Sequence, residues 1–97
     1  MDFDILKRLG EPVLLEQTAE ESAELAQACL KLARKIRGEN PTPKDINELK
    51  NNLTEEIADV VLCIQTLIDI NLADPSDINE IVHLKEKRWV DRLNETK

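Results

Sequence analysis

The chain has 97 residues and therefore forms at most one domain, which at this size buries only a thin core by itself. Its formal net charge of −7 excludes a nucleic-acid polymer as the main partner, because proteins that bind one carry basic stripes that neutralise phosphates. Two glycines, one Phe, one Trp and no Tyr, among abundant Leu, Ala, Glu, Lys and Ile, favour helix over strand. We expect an all-α fold: a short helical bundle with two long central helices, completed by oligomerisation.

The first two predicted helices end at glycines. A short amphipathic segment over residues 2–9 is followed by Gly10, which suits a helix C-cap. A long helix begins near Pro12 and runs to Arg37, where Gly38 stops it. Its apolar and small residues recur at spacings of three and four, which predicts a heptad-like seam formed by Leu15, Thr18, Ser22, Leu25, Cys29, Leu32 and Ile36.

A second long helix is predicted after the loop at residues 38–42. Thr42 is the expected N-cap, with Pro43 at the first helical position and Asp45 at the third. The apolar pattern continues to about Asn71, although the polar residues at 51–54 leave open a division into two helices.

The last predicted helix starts at a capping sequence, Asp74 followed by Pro75. Trp89 is its one large aromatic residue, and at helical spacing a lone Trp is typical of a core or an interface, with stacking on a base as the alternative.

The sequence gives no indication of a membrane or secretory segment. The first four residues have neither the basic start nor the apolar stretch of a signal peptide, and the strongest apolar run, residues 60–64, is far shorter than the roughly 20 residues that cross a bilayer. Cys29 and Cys63 both lie in helical apolar patterns, which predicts buried, reduced thiols. We expect a cytoplasmic protein without a membrane partner.

Two acidic motifs place carboxylate pairs on helical faces that otherwise continue with apolar residues. The first pair is Glu21 and Glu24, and the second is Glu56 and Asp59. Like charges three residues apart mildly destabilise a helix, and water cannot fully compensate them on a buried face. Other acidic pairs at this spacing lie on polar faces or near helix starts, where carboxylates are stabilised. The sequence therefore predicts a cation between the two pairs.

These four carboxylates offer only oxygen ligands. If the two long helices pack antiparallel, the pairs face each other, and such a ligand set favours Mg²⁺ or Mn²⁺ over zinc or copper. Mg²⁺ in proteins commonly binds substrate phosphates as well, and a bound metal lowers the pKa of its water and stabilises a leaving group. The residues thus favour hydrolysis of a phosphoanhydride bond in a triphosphate.

The two motifs also resemble those of a known family. Residues 20–26 (Glu-Glu-Ser-Ala-Glu-Leu-Ala) and residues 53–60 (Leu-Thr-Glu-Glu-Ile-Ala-Asp-Val) are similar to the EExxEL and EExADV signatures of the MazG-like all-α nucleoside triphosphate pyrophosphohydrolases. The resemblance covers residues 14–67. It implies a single domain over residues 1–97, working as a homodimer or homotetramer, that uses Mg²⁺ to split a nucleoside triphosphate into the monophosphate and pyrophosphate.

The resemblance also implies roles for individual residues. Carried over by position, Glu21, Glu24, Glu56 and Asp59 are the metal ligands and catalytic carboxylates. The preceding glutamate of each motif, Glu20 or Glu55, either contacts the ligands from behind or faces solvent. The family's substrate-binding basic residues are matched in part by three residues of the last helix: Lys85, Arg88 and Arg92.

Two further lysines are candidates for binding the substrate. Lys31 and Lys35 follow Glu24 by seven and eleven residues, on nearly the same helical face, which would bring them near a triphosphate tail. The alternative is that they are ordinary solvated lysines.

Two other classes of function remain open from the sequence. Glu80 and His83 form an ExxH motif like those of di-iron carboxylate bundles, but one histidine cannot complete such a site within a protomer. The third class is a non-enzymatic helical interaction module, in which the acidic pairs are merely solvated.

Overall fold

The computed structural model describes residues 8–39 and 43–95, which form three α-helices. Helix α1 spans Glu11–Arg37, α2 spans Ile46–Asp69 and α3 spans Pro75–Glu95. No strand occurs in these two ranges, and the all-α prediction is confirmed. The short helix predicted over residues 2–9 lies outside the described residues except for its last two.

Helix α1 ends where the sequence predicted. Gly38 adopts a left-handed conformation with φ 77°, which glycine tolerates without a steric penalty. Its N–H donates to the carbonyl of Lys35 (3.2 Å), and the next N–H, from Glu39, donates to the carbonyl of Arg34 (2.9 Å). These two bonds satisfy carbonyls that the helix end would otherwise leave without donors.

Helix α2 begins later than predicted. Its N-cap is Asp45, whose carboxylate accepts a hydrogen bond from the Glu48 N–H at 2.8 Å. The predicted start, with Thr42 as N-cap and Pro43 as first helical residue, is therefore wrong, because the Asp45 side chain satisfies the first-turn donor itself. The polar residues at 51–54 do not divide the helix, and the Thr54 hydroxyl donates to the carbonyl of Lys50 within it (3.0 Å).

Helices α1 and α2 pack together as an antiparallel hairpin. The order of the facing residues shows the direction, since Glu24 meets Glu56 while Thr18, further back along α1, meets Cys63, further on along α2. The buried residues of the pair are Leu14, Ala28, Leu49, Cys63 and Thr66. The completely buried Thr66 is accommodated because its hydroxyl donates to the carbonyl of Leu62 at 2.8 Å.

The seam predicted on α1 is partly right. Its members Thr18, Leu25 and Leu32 are half-buried, but at its other four positions the preceding residue is the more buried one. Leu14 is 3% exposed and Ala28 is buried, whereas the predicted seam residues Leu15 and Cys29 are exposed. The burial predicted for Cys29 is thus wrong, although that for Cys63 is confirmed. One residue is a turn of about 100°, so the inner stripe of the hairpin shares only every second member with the heptad-like seam.

Helix α3 leaves the hairpin and packs along neither of its helices. Its N-cap is the predicted one, because Asp74 Oδ1 accepts from the N–H groups of Ser76 and Asp77 at 2.8 and 3.1 Å. None of its residues is buried. The Cα atoms extend over 44 × 39 × 18 Å, and a 27-residue helix of about 40 Å accounts only for the first dimension. Two packed helices lie about 10 Å apart, so the second dimension requires α3 to project sideways.

None of the described helices is at once long enough and apolar enough to cross a lipid bilayer.

Candidate metal centre

Three of the four predicted ligands meet halfway along the hairpin. Glu21, Glu24 and Glu56 each contribute one carboxylate oxygen, and the three oxygens lie within 4.8 Å of one another. The spacing of three residues puts the first two on one side of α1, and the antiparallel pairing brings Glu56 of α2 opposite them. The sequence-based expectation that the two motifs converge on one point holds for these three residues.

Two carboxylate oxygens in the cluster are buried without a hydrogen-bond donor. They are Oε2 of Glu21 and Oε2 of Glu56, which belong to half-buried side chains. The other oxygen of Glu21 accepts a hydrogen bond from Nε2 of Gln17 at 2.8 Å, which fixes the orientation of the carboxylate. A buried hydrogen-bond acceptor without a donor destabilises the fold, and a buried charge without a counter-charge destabilises it more. A bound cation would compensate both the unpaired oxygens and the negative charge.

The electrostatics of Glu21 indicate the same shortage of positive charge. Burial raises the pKa of the Glu21 carboxyl, and the neighbouring charges of Glu24 and Asp59 raise it further, against a lowering by the Gln17 hydrogen bond. A bound cation would act in the opposite direction, because it favours the ionised carboxylate.

The fourth predicted ligand, Asp59, lies beside the cluster rather than within it. It is not one of the three residues whose oxygens meet, but its charge contributes to the raised pKa of Glu21. It also faces Cys63, whose thiol pKa is raised by burial and by the charges of Glu21 and Asp59, and lowered by the hydroxyl of Thr18. Its role as a ligand stays a prediction.

The donor set fits a hard divalent cation. Within residues 8–39 and 43–95, the cluster of Glu21, Glu24 and Glu56 is the group of potential ligands that converge, and it presents oxygen alone. Oxygen ligands suit Mg²⁺ and Mn²⁺, and a small number of carboxylates leaves coordination positions for water or phosphate oxygens. His83 lies on the exposed surface of α3, apart from this cluster.

The predicted basic residues fall into two groups. Lys31 is exposed and Lys35 half-buried on α1, and Lys31 lies about 10 Å along the helix axis from Glu24. Lys85, Arg88 and Arg92 are exposed on α3, which does not pack against the hairpin. The fold of one chain therefore gathers the carboxylates but does not bring α3 against them.

Gln17 is the residue of the site that the sequence analysis did not single out. It lies one helical turn before Glu21, and a glutamine four residues from a carboxylate can donate to it across that turn. The spacing was therefore a usable signal, but glutamines are frequent on solvated helix surfaces and the spacing alone is unspecific.

No family model matches the chain, and comparisons with curated proteins and with solved structures also found no match. The resemblance of the two motifs to those of the MazG-like pyrophosphohydrolases stays a prediction.

Proposed function

We propose that the protein is a Mg²⁺-dependent nucleotide pyrophosphohydrolase, which cleaves a (deoxy)nucleoside triphosphate to the monophosphate and pyrophosphate. The observation that carries the proposal is the convergence of Glu21, Glu24 and Glu56 from two helices, with buried oxygens that lack donors. A site in which three carboxylates repel one another is unfavourable until a cation binds, so its formation by two separate motifs supports a metal-binding role.

The residues around the cluster have distinct parts in this proposal. Glu21, Glu24 and Glu56 would hold Mg²⁺ or Mn²⁺, with Asp59 as an additional ligand at the edge, and Gln17 keeps the Glu21 carboxylate in place. The metal would supply charge neutralisation at the phosphates and a water of lowered pKa. The chain itself supplies a partly buried setting, in which the attraction between carboxylates and a cation is less screened than in bulk water.

The substrate's phosphates also require positive side chains. Lys31 and Lys35 lie beyond Glu24 on α1 and are proposed to contact the phosphate tail. Lys85, Arg88 and Arg92 can contribute only if α3 from the same or another copy approaches the cluster. We further propose that the enzyme works as a homodimer or homotetramer in the cytoplasm, in house-cleaning of the nucleotide pool, which accords with the free thiols of Cys29 and Cys63.

The test is release of pyrophosphate from a panel of common and modified nucleoside triphosphates, with Mg²⁺, with Mn²⁺ and with a chelator. Glu56→Ala should reduce turnover to background. Its matched control is Glu55→Ala, because Glu55 is the adjacent residue but is exposed and lies outside the cluster. The proposal fails if no triphosphate yields pyrophosphate, or if the two substitutions reduce turnover equally.

A further inference from the structure

Asn52 lies one helical turn before Glu56 on α2 and is half-buried. Residues four apart on a helix share a face, so the two side chains lie on the same side of α2. The antiparallel register that joins Glu24 to Glu56 places the small, buried Ala28 of α1 opposite Asn52. Asn52 is therefore a neighbour of the carboxylate cluster on its loop side, by which we mean the part of the hairpin nearer to the loop between α1 and α2.

The amide of Asn52 forms no hydrogen bond with any residue in the part of the chain that the structure describes. Gln17 provides the comparison, because it precedes Glu21 by the same four residues and its Nε2 donates to that carboxylate at 2.8 Å. The asparagine side chain is one methylene shorter than that of glutamine, and Oε2 of Glu56 remains buried without a donor. The chain thus keeps two N–H donors beside the cluster that it does not use itself.

A neutral amide at this position suits an anionic ligand of the metal. A lysine beside the cluster would form ion pairs with the glutamates and compete with the cation, whereas an amide donates hydrogen bonds without adding charge. A phosphate bound to Mg²⁺ keeps oxygens that do not contact the metal, and these accept hydrogen bonds. Asn52 is half-buried in the hairpin, so its donors are held close to the cluster.

The charge of the hairpin changes sign along its length. Residues 31–37 of α1, on the loop side of the cluster, carry four basic and no acidic side chains, whereas residues 11–20, on the other side, carry three acidic and no basic ones. The one basic residue of α2, Lys50, also lies on the loop side. Basic residues near a helix C-terminus complement the helix dipole, so the charges alone do not make a site. They do give a bound anion a preferred direction, toward the loop.

We propose that Asn52 binds the phosphate tail of the substrate, and that this tail runs from the carboxylate cluster toward the loop, past Asn52 to Lys31. The Asn52 amide donates to an oxygen of a phosphate that also contacts the cation. Lys31 lies about 10 Å beyond Glu24 along the axis of α1, on nearly the same face, and meets the far end of the tail. The inference rests on the proposed function for the identity of the substrate, but the site itself is one for a polyphosphate.

The probe is bis-methylene triphosphate, an inorganic triphosphate whose bridging oxygens are replaced by methylene groups. It carries three phosphates, has no base or sugar and cannot be hydrolysed, so its binding in the presence of Mg²⁺ reports the phosphate site alone. The test variant is Asn52→Leu, which keeps the size of the side chain and removes its donors. The matched control is Asn51→Leu, because Asn51 is the adjacent residue of the same type and is exposed.

We expect Asn52→Leu to bind the probe at least about tenfold more weakly than the wild type, as is typical when a hydrogen bond to a charged group is lost. Asn51→Leu should bind it within about twofold of the wild type. Both variants should bind Mg²⁺ alone within about threefold of the wild type, since neither change removes a carboxylate. If Asn52→Leu loses its helical circular dichroism, Asn52→Asp decides the matter, because it has the same shape and replaces the donors by a negative charge that repels the probe.

The direction of the tail is tested by a second matched pair. Lys31→Gln removes a positive charge from the proposed path, and Arg37→Gln removes one from the same end of α1 at an exposed position about 120° away around the helix. Lys31→Gln should weaken binding of the probe by about threefold or more, and Arg37→Gln by less than about twofold. Equal losses in the two variants would contradict the proposed direction.

Three results would overturn the role of Asn52. They are a wild type that does not bind the probe with Mg²⁺, an Asn52→Leu variant that binds it as tightly as Asn51→Leu does, and an Asn52→Leu variant that has lost affinity for Mg²⁺ itself, which would make Asn52 a support of Glu56. The proposed function fails separately. A wild type that binds the probe through Asn52 but releases pyrophosphate from no nucleoside triphosphate is a polyphosphate-binding protein. An active enzyme whose KM is unchanged by Asn52→Leu keeps the function and loses this site.

Discussion

The hairpin and α3 carry comparable amphipathic patterns but differ in what those patterns bury. In the hairpin, the apolar stripes of α1 and α2 meet and enclose Leu49 and Cys63 at 2–3% exposure. In α3 no residue is buried, and Trp89 remains 65% exposed. Apolar periodicity therefore decides that a segment is helical, whereas the path of the chain decides whether its stripe finds a partner.

The same difference separates the chemistry of the two regions. The hairpin collects carboxylates from two motifs at one point, while the basic residues of α3 that are proposed to bind substrate, Lys85, Arg88 and Arg92, are held away from them. The following predictions test whether the hairpin is self-sufficient as a metal centre and as a folding unit.

The largest effect is expected from Glu56→Ala. It should abolish binding of Mg²⁺ or Mn²⁺ in calorimetry, and Asp59→Ala should likewise abolish metal-dependent turnover. In the presence of a chelator, the melting temperature of neither variant should be lower than that of the wild type, because each substitution removes one of several mutually repelling carboxylates. A metal-free Glu56→Ala that melted well below wild type would show that Glu56 is instead a structural partner of a basic residue.

Next in size is the contrast between a core leucine and an exposed one. Leu49→Ala should lower the free energy of unfolding by about 2–5 kcal/mol, because it leaves a cavity in the hairpin core. Leu84→Ala on α3 should change it by less than about 1 kcal/mol, since Leu84 is half exposed. Urea denaturation followed by circular dichroism measures both, and equal losses would mean that α3 is packed as tightly as the hairpin.

A smaller effect is expected from Gln17→Met, which removes the donor to Glu21 while keeping a side chain of similar length. Metal affinity should fall by roughly 10-fold, as is typical when a group that orients a metal ligand is lost. Gln27→Met on the exposed side of the same helix is the control. Equal metal affinities in the two variants would remove Gln17 from the site.

The raised pKa of Glu21 predicts a modest pH dependence of stability without metal. A carboxyl whose pKa is higher in the folded than in the unfolded state stabilises the fold as the pH falls through that raised pKa, and loses this contribution as the pH rises. Glu21→Gln should therefore be more stable than the wild type at pH 7, and the difference should narrow on acidification through the raised pKa of Glu21. Urea denaturation of both proteins at several pH values, in the presence of a chelator, measures this difference in stability. A stability difference between Glu21→Gln and the wild type that is constant with pH would contradict the raised pKa.

The smallest effect on metal binding should come from α3. Replacing Lys85, Arg88 and Arg92 together by Ala should leave the metal affinity within about twofold of wild type, because α3 packs on neither helix of the hairpin. If these residues bind substrate, the same variant should raise KM for the triphosphate. A large loss of metal affinity would show that α3 approaches the carboxylates in solution.

Much of the local structure could be predicted from single residues. Gly38 fixes the end of α1 because it accepts a positive φ, and Asp74 fixes the start of α3 because its carboxylate satisfies the first N–H groups. The start of α2 differs from the predicted one because two residues can cap this helix. Thr42, followed by Pro43, is one, and Asp45 is the other; the hydrogen bond from the Glu48 N–H to the Asp45 carboxylate selects Asp45. The three converging glutamates could be predicted because each motif keeps its carboxylates on one helical face.

The sequence by itself determined that the chain is helical, that α1 ends at Gly38 and that α3 begins at Asp74. It also determined that carboxylates from two motifs share the inner side of the two long helices. All of these features follow from local helix geometry. Only the tertiary structure decided that Leu14 and Ala28 are buried on α1 rather than Leu15 and Cys29, that Asp59 lies beside the cluster, and that α3 stands away from it. The physical reason is that stripes one residue apart differ by only about 100° around a helix, and their burial depends on the partner that packs against them.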